Sequence, residues 1–266
     1  MPEPHTKGDG KSPGLVRRVS RRGVSFDVIN DGANHDFWGR FDSGAWEPET
    51  LQIFDSCVTP DTYFLDIGSW IGPTALYAAS KARRVICLEP DPIAAEKLRW
   101  NIALNPSLVP KIEVIERALS RSDAPVVLGS RGQGGDSESS VWFAGARTTW
   151  TVPTIQPAEL IRLVPPGPLF IKVDIEGSEY LIFPRSAGAW KRPQTTVLLS
   201  LHPKRISNAS WLSRKLMTAG VFGALRSYSI ASVDHNRVRP RLLLSTFNWL
   251  HVPIQTSHKN WLFERK

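Results

Sequence analysis

A regular alternation of short apolar runs with segments of helical periodicity, between residues 62 and 104, most constrains the fold. The runs TYFLDIG (62–68) and RRVICLEPD (83–91) are rich in β-branched and aromatic residues, which is typical of buried strands. GPTALYAASKA (72–82) and PIAAEKLRWNIAL (92–104) each have a proline near the start and then follow a helical pattern. Strand, helix, strand and helix in succession predict an α/β fold with a doubly wound, mostly parallel sheet and helices on both faces.

Later segments extend this pattern. We predict further strands at 112–120, 149–155, 168–177, 195–203 and 247–253, and further helices at 157–164, from Ser178 and at 207–220. Residues 129–140 are rich in Gly and Ser, so we expect this loop to be poorly ordered without a ligand. The pattern over 129–147 is consistent with a lid and does not establish one. We expect a flexible basic tail (1–22) and one domain (23–266). This domain would comprise an N-terminal cover (23–60), a core (61–255) and a C-terminal extension (256–266).

Composition excludes several classes of protein. With 41% hydrophobic and 22% charged residues, the chain is too apolar for a disordered protein. It has no run of about 18–20 uncharged apolar residues, which a membrane span requires, and no apolar leader follows its first charges. Cys57 and Cys87 are the two cysteines, and Cys87 lies in an apolar run, so reduced thiols are expected. These features predict a soluble, cytoplasmic protein.

The net charge of +8 is unevenly distributed. Residues 185–266 carry 14 basic and two acidic side chains, whereas the central part of the chain is acidic. A basic C-terminal third is compatible with a surface for an anionic partner, and equally with an ordinary solvated basic face.

The turn after the first predicted strand has the features of a nucleoside site. Gly68 and Gly72 leave the backbone of this turn open to a ligand, and Asp66 stands just before them. Glu89 ends the second strand, 23 positions after Asp66, where a carboxylate can accept hydrogen bonds from both ribose hydroxyls. Since parallel strands bind ligands at their carboxyl ends, these residues together predict a nucleoside pocket.

Two nucleotide-binding motifs are absent from the sequence, which limits the nucleosides that this pocket could bind. The turn lacks the third glycine of the dinucleotide fingerprint G-x-G-x-x-G, which disfavours a nicotinamide-dependent dehydrogenase, and the chain has no Walker loop. A carboxylate at Asp66 would repel a pyrophosphate but can pair with an ammonium group. A cationic nucleoside such as S-adenosylmethionine therefore suits the turn better.

Four segments carry a family resemblance: LDIGSWIG, VICLEPDP, FIKVDIEGSEYLIF and LLSLHP. In this order and spacing they resemble the FkbM family of S-adenosylmethionine-dependent methyltransferases over about residues 40–255. The resemblance implies a Rossmann-like, class I methyltransferase fold with S-adenosylmethionine as cofactor. The family often has Asn within the glycine turn, where this chain has Trp70, and Glu47 resembles a family element that covers the cofactor.

The resemblance also implies roles for single residues. Asp66, Gly68, Ser69 and Gly72 would hold the methionine part of the cofactor. Glu89 would hold the ribose, with Pro90 and Asp91 beside the adenine and Arg117 and Ala118 on its other side. Asp174 would face the methyl-transfer zone.

A second group of polar residues follows the strand predicted at 168–177. The two-residue period of a strand directs Lys172, Asp174 and Glu176 to one face, where burial would be costly without ligands or pairing. These residues and His202, which ends the next strand, are the candidate catalytic residues, and the substrate proton could go to Asp174, Glu176 or His202. The same groups could hold a divalent metal, but no spacing among them is diagnostic and no metal ligand is assigned.

The resulting prediction is an S-adenosylmethionine-dependent methyltransferase that methylates a hydroxyl oxygen of a sugar, polyketide or similar small metabolite. Two alternatives stay open. One is a methyltransferase acting on RNA or another polyanion through the basic C-terminal third, and the other is a non-catalytic module that binds S-adenosylmethionine. The expected partner is a small acceptor rather than a nucleic acid, and nothing in the sequence indicates the oligomeric state.

Overall fold

The computed structural model describes residues 15–132, 134–234, 237–238, 242–243 and 259–265. Its strands are β1 (Leu15–Arg21), β2 (Val24–Asn30), β3 (Tyr63–Ile67), β4 (Arg84–Leu88), β5 (Ile112–Ile115), β6 (Ala118–Leu119), β7 (Val126–Ser130), β8 (Thr148–Val152), β9 (Thr154–Ile155), β10 (Leu169–Val173), β11 (Thr195–Leu201), β12 (Ser229–Asp234), β13 (Arg237–Val238), β14 (Leu242–Leu243) and β15 (Lys259–Arg265). Its α-helices are α1 (His35–Ser43), α2 (Pro48–Cys57), α3 (Pro73–Ala79), α4 (Pro92–Ala103), α5 (Pro157–Arg162), α6 (Glu179–Ile182) and α7 (Trp211–Ala224). Short 3-10 turns occur at Val109–Lys111, Val141–Phe143, Phe183–Arg185 and Pro203–Ile206.

The central sheet confirms the predicted α/β class. Its strand order is β13-β12-β15-β11-β10-β3-β4-β5, and β14 also pairs with β12. Strands β5, β4, β3, β10 and β11 are parallel, whereas β15 runs antiparallel to both of its neighbours, β11 and β12. The chain proceeds from β3 outward to β5 and then returns to β10 on the other side of β3. The strand order therefore reverses between β3 and β10, and their carboxyl ends form the crevice in which such sheets bind ligands.

Apolar side chains cover both faces of this sheet, as expected for parallel strands. Leu65, Ile171 and Val197 belong to the core cluster on one face. Phe64 and Phe170 belong to the cluster on the other face, where their rings stack with centroids 5.1 Å apart. The alternation within β3 and β10 thus places large apolar residues on both sides and leaves the polar residues for the carboxyl ends.

The N-terminal region corrects the predicted tail. Residues 1–14 lie outside the described part of the chain, but residues 15–21, which we expected to be flexible, form β1 and pair with β2. The side chains of Asn101 in α4 and of Asn105, just after this helix, accept hydrogen bonds from the backbone N–H groups of Ile29 (2.7 Å) and Asp27 (2.8 Å). Two asparagines therefore attach the hairpin to the main domain.

Several predicted boundaries also differ from the structure. The strand predicted at 112–120 divides into β5 and β6, and β6 leaves the central sheet to pair with β9. The strand predicted at 168–177 ends at Val173, because the chain must turn at Gly177 and at Glu176, whose φ is 51°. The antiparallel pair of β7 with β8 includes a strand that we did not predict, and the strand predicted at 247–253 lies outside the described residues.

The C-terminal segment has a different role from the one expected. Residues 259–265 were predicted as part of an extension beyond the core, but as β15 they occupy an interior position of the central sheet between β11 and β12. Leu262 and Phe263 are buried there. Within the described residues, no helix combines the length and apolar character that a bilayer span needs.

The buried position of β15 predicts a large stability effect of Phe263. This side chain is fully buried, with its ring centroid 5.9 Å from that of Phe222 and 6.5 Å from that of Tyr228. Replacing it by alanine should lower the free energy of unfolding by about 3–5 kcal/mol, as measured by urea denaturation, because a cavity remains. The control Leu216→Ala, at a position 64% exposed on α7, should change it by about 0.5 kcal/mol or less. Equal effects of the two variants would contradict the interior position of β15.

Candidate active site

Two adjoining cavities lie at the carboxyl edge of the sheet, beside the crevice between β3 and β10. The narrow cavity has a volume of about 60 Å³, and Glu89, Pro90, Arg117 and Ala118 contribute to its wall. The wide cavity has a volume of about 580 Å³, and its wall includes Ser69, Lys172 and His202. Both cavities are lined by Gly68, Trp70, Ser137, Asp174 and Glu176. The two cavities therefore meet where β3 and β10 end.

The glycine turn after β3 brings the two strand ends together. Gly68 has a φ of 83°, and a Cβ at this position would overlap the backbone carbonyl of Asp174. Gly72 begins α3 with a φ of 93°, and a Cβ there would press on the side chain of Leu98 in α4. Gly68 is thus required for the close approach of β3 to β10, whereas Gly72, which lines neither cavity, serves helix packing.

Trp70 lines both cavities and is held by several contacts. Its backbone N–H donates to Glu89 Oε2 (2.7 Å), and its indole Nε1–H donates to the carbonyl of Gly135 (2.8 Å). Its ring packs edge-to-face on Phe37, with centroids 4.5 Å apart. The φ of Trp70 is 49°, a left-handed conformation that asparagine adopts more readily, so these contacts must compensate for the strain.

Glu89 presents a buried carboxylate to the narrow cavity. Its two oxygens accept hydrogen bonds from the backbone N–H groups of Trp70 and Asp91 (2.9 Å to the latter). No cation lies within ion-pair distance of Glu89 among the described residues, and burial raises its pKa to about 7, although the two N–H donors oppose this shift. A carboxylate has about four acceptor positions, so Glu89 can still accept from a ligand.

Asp91 is directed away from the cavities and organises a loop. It caps α4 by accepting from the N–H groups of Ile93 and Ala94. Its other oxygen accepts from the N–H of Gly135 (2.8 Å) and the hydroxyl of Ser139 (2.6 Å). Asp91 therefore holds the loop after β7 against the start of α4, and Asp136 and Ser137 from this loop complete the wall of the narrow cavity.

Asp66 is fully buried and lines neither cavity. Its carboxylate accepts a hydrogen bond from the hydroxyl of Thr74 (2.6 Å) and lies 3.7 Å from the ammonium of Lys172 on the neighbouring strand. Lys172 also lies 3.4 Å from Asp174. Burial lowers the pKa of the Lys172 ammonium, but the carboxylates of Asp174 and Asp66 outweigh this effect and raise it. Lys172 is therefore held as a buried cation.

His202 is surrounded by three carboxylates. Its Nδ1 lies 2.7 Å from Glu179 Oε1, and its Nε2 lies 3.3 Å from both Asp174 Oδ1 and Glu176 Oε1. Burial opposes the charged imidazole, but the hydrogen bonds with Glu176 and Glu179 and the charges of Glu179 and Asp174 raise its pKa to about 11. His202 is thus protonated at neutral pH and donates to these carboxylates.

Arg205 completes the group on its outer side. Its guanidinium donates to Glu176 (2.6 Å) and to Glu138 (3.2 Å) in the loop after β7. Burial alone would raise the pKa of Glu176, but the hydrogen bond from His202, its positive charge and the hydrogen bond from Arg205 outweigh this and lower it. We did not predict a role for Arg205, although it stands three positions after His202 in the segment that follows β11.

Glu47 brings a further carboxylate into the wall of the wide cavity. It begins α2 in a left-handed conformation (φ 36°) and accepts a hydrogen bond from Thr50 Oγ1 (2.9 Å). Burial, and secondarily the charge of Asp174, raises the pKa of Glu47 to about 7. Glu47, Trp70 and Glu176 therefore all combine left-handed backbone with a position on this wall, and strained backbone tends to occur at functional sites.

Asp174, Glu176 and His202 are also arranged so that they could hold a metal ion, since one ligand atom from each lies within 4.8 Å of the others. Glu179 fixes the orientation of His202 through Nδ1, as an outer carboxylate does in many metal sites. Metal binding would require His202 to lose the proton that its neighbours stabilise.

The structure therefore brings together most of the predicted site residues. Gly68, Ser69, Glu89, Pro90, Arg117, Ala118, Lys172, Asp174, Glu176 and His202 line one or both cavities. Asp66, Gly72 and Asp91 line neither cavity. Asp66 contacts Lys172 and Thr74, and Gly72 allows the close contact between α3 and α4. Asp91 holds the loop after β7. Arg117 lies at the rim, where its guanidinium is 3.8 Å from Glu159.

Comparison with known proteins identifies the family to which a large part of the chain belongs. The family model described as the methyltransferase FkbM domain matches residues 66–234. No curated protein sequence matches the chain.

Solved structures with similarity to the chain include a methyltransferase FkbM from Methylobacillus flagellatus KT, with 16% identity, a TM-score of 0.44 and coverage of 80% of this chain and 50% of that one. A precorrin-6y C5,15-methyltransferase from Geobacter metallireducens GS-15 has 11% identity, a TM-score of 0.43 and coverage of 82% and 88%. A putative methyltransferase from Streptococcus mutans, solved in complex with SAH, has 7% identity, a TM-score of 0.42 and coverage of 82% and 97%.

The fold and the matched region define a Rossmann-like, S-adenosylmethionine-dependent methyltransferase. Because the family model covers more than half of the chain, the protein belongs to the FkbM methyltransferase family. The resemblance inferred from the sequence motifs is thereby confirmed.

The raised pKa of His202 predicts a pH-dependent contribution to stability. Because the pKa of about 11 in the folded state exceeds the unfolded value of 6.5, the contribution is complete below about pH 6.5 and is lost as pH rises toward 11. His202→Gln should lower the free energy of unfolding by about 3–5 kcal/mol at pH 6, with a smaller difference at pH 10. Urea denaturation at several pH values measures this. The control His35→Gln, at an exposed position, should give no such trend. If the loss of unfolding free energy caused by His202→Gln increased with pH, the result would contradict a charged His202 in the folded protein.

Proposed function

We propose that the protein methylates a hydroxyl oxygen of a small metabolite, such as a sugar or polyketide, with S-adenosylmethionine as methyl donor. The observation that carries this proposal is the junction of the two cavities at Gly68 and Asp174, with a buried carboxylate on one side and a group of charged residues on the other. A donor with its nucleoside in the narrow cavity and its methionine part reaching past this junction would meet an acceptor held in the wide cavity, and such proximity supplies much of the rate of a bimolecular transfer.

The residues of the narrow cavity match the nucleoside part of the donor in chemistry, whereas its volume of about 60 Å³ would have to increase to admit an adenosine. Glu89 is buried and has only backbone donors, so ribose hydroxyls can satisfy its remaining acceptor positions. Pro90, Arg117 and Ala118 line the same cavity and would lie along the adenine. Gly68 and Ser69 would lie beside the methionine part, where Glu47 offers a carboxylate for its ammonium group. In this proposal Asp66 acts indirectly, by holding Lys172.

When bound, the donor supplies a sulfonium methyl group whose bond to sulfur breaks as the bond to the acceptor oxygen forms. We propose that Asp174 receives the hydroxyl proton, because it lies at the junction and on the wall of both cavities. Lys172 and His202 hold the Asp174 carboxylate between two cations, which fixes its position. His202 already carries a proton at neutral pH, so we no longer propose it as the acceptor of the proton.

Glu47 is a second candidate for the proton acceptor, as the alternative to its binding the ammonium group of the donor. It lines the wide cavity with a pKa of about 7, close to the value that suits a general base at neutral pH. The experiments below separate it from Asp174.

Glu89 should be needed for donor binding. Glu89→Gln should weaken the binding of S-adenosylhomocysteine by about 10- to 100-fold in calorimetric titration, because one acceptor oxygen is replaced by an amide that cannot accept from ribose (about 1–3 kcal/mol). Glu113→Gln, at an exposed position of β5 near Arg84, is the matched control and should leave binding unchanged. A wild-type protein that is folded but binds no S-adenosylhomocysteine would contradict the proposed donor site.

Asp174 should be needed for turnover but not for donor binding. Asp174→Asn should lower kcat by about 100-fold or more while S-adenosylhomocysteine binds within about threefold of wild type, since a general base contributes about 10²–10⁴-fold. Glu47→Gln provides the comparison, and a larger loss of kcat in that variant would assign the proton to Glu47 instead. Bound donor with no transfer to any hydroxyl acceptor would favour a non-catalytic binding module.

A further inference from the structure

Three basic side chains surround the wide cavity from different parts of the chain. Arg40 belongs to α1, Arg131 follows β7, and Lys204 lies in the 3-10 turn after β11. All three are exposed. In the part of the chain that the structure describes, none of them lies within ion-pair distance of a carboxylate.

Three of the four acidic side chains on the same wall have cationic partners, and the fourth, Glu47, accepts a hydrogen bond from Thr50. Asp174 pairs with Lys172 (3.4 Å), and Glu176 pairs with Arg205 (2.6 Å). Glu138 also pairs with Arg205 (3.2 Å). The wall therefore has an excess of positive charge, and a concave surface concentrates the resulting potential on a ligand of opposite sign.

The position of Arg131 also favours the binding of an anion at this wall, independently of the charge balance. The guanidinium groups of Arg131 and Arg205 lie 4.5 and 4.6 Å from the centroid of the same ring, that of Phe143. Glu176 and Glu138 offset the charge of Arg205, but no described carboxylate offsets that of Arg131. Two like charges around one ring repel each other, and an anion bound at this point would relieve the repulsion.

Aromatic rings form another part of the wall. Phe37 packs edge-to-face on Trp70 (4.5 Å between centroids) and on Trp46 (5.3 Å), and all three residues line the wide cavity. The apolar face of a small ring can pack on such a surface. The cavity volume of about 580 Å³ is within the range of small-molecule sites, roughly 300–1,000 Å³.

We infer that the methyl acceptor is a phosphorylated small metabolite, a sugar or polyol phosphate, whose phosphate binds Arg40, Arg131 and Lys204. The inference rests on the proposed function, because the acceptor hydroxyl is to be methylated beside Asp174. Guanidinium groups match the geometry of phosphate oxygens, and the three cations more than neutralise the charge of about −2 on a phosphate monoester. The aromatic wall would hold the carbon skeleton between the phosphate and the reacting hydroxyl.

The first test uses inorganic pyrophosphate as the probe, titrated into protein saturated with S-adenosylhomocysteine. The variant R40Q/R131Q/K204Q should bind pyrophosphate at least tenfold more weakly than wild type. The matched control R83Q/R162Q/R226Q removes the same charge from exposed positions outside both cavities and should bind within about twofold of wild type. Both variants should keep the wild-type affinity for S-adenosylhomocysteine, which shows that they are folded.

The second test compares turnover of glucose with glucose 6-phosphate and of glycerol with glycerol 3-phosphate. The phosphate ester of a pair should be the better acceptor, and R40Q/R131Q/K204Q should lose this preference through a raised KM at nearly unchanged kcat. The rise in KM distinguishes an anchoring role from a general loss of activity.

Two results would overturn the inference. One is pyrophosphate binding that is absent, or that both variants weaken equally. The other is a single-stranded RNA oligonucleotide that binds more tightly than pyrophosphate and is weakened equally by both variants, which would indicate a diffuse polyanion surface. Failure of the proposed function has a different signature, namely pyrophosphate binding that depends on the three cations in a protein that transfers no methyl group.

Discussion

The buried ammonium of Lys172 is the interaction on which the site depends. A lysine that is 4% exposed inside a sheet is stable only with close counter-charges, and the parallel register of β3 and β10 places Asp66 directly beside it. Lys172 in turn lies against Asp174, where the two cavities meet. The ion pair of Lys172 with Asp66 therefore fixes β3 relative to β10, because a shift of either strand would separate the two charges. Through Lys172 it also fixes the position of Asp174 beside the cavities.

The charges at the rim form a graded series from buried to exposed. Lys172 and Asp66 are enclosed, His202 and Glu176 are partly covered, and Arg205 connects this group to the loop after β7. Each carboxylate in the group has at least one cationic neighbour, which favours its ionised form, although burial outweighs this at Asp66 and raises its pKa. Glu89 and Glu47 are exceptions, with pKa values near 7, and each faces a cavity where a ligand could supply the missing donor.

The sequence allowed the parallel part of the sheet to be predicted because its signals are local. Apolar runs, prolines at helix starts and the glycine turn each act over a few residues, and they led to β3, α3, β4 and α4. It did not reveal that Asp66 would be turned inward, because this depends on its pairing with Lys172, 106 positions away in the chain. Likewise, Asp91 looked like a cofactor residue, and only the folded loop shows it bound to Gly135 and Ser139. The roles of Asp66 and Asp91 depend on contacts between segments that are distant in the sequence, and the residue types alone do not indicate them.

The interior position of β15 has a consequence for how the molecule acquires its shape. β11 carries His202 just beyond its end, and its outer edge stays open until residues 259–265 have been made, long after the other parallel strands can pair. During synthesis the half of the sheet next to the site thus has an unpaired, strongly apolar edge, of the kind that promotes association between chains. The order of strands along the chain therefore makes completion of the rim beside His202 a late event in biosynthesis, and this edge stays open to association until that strand is added.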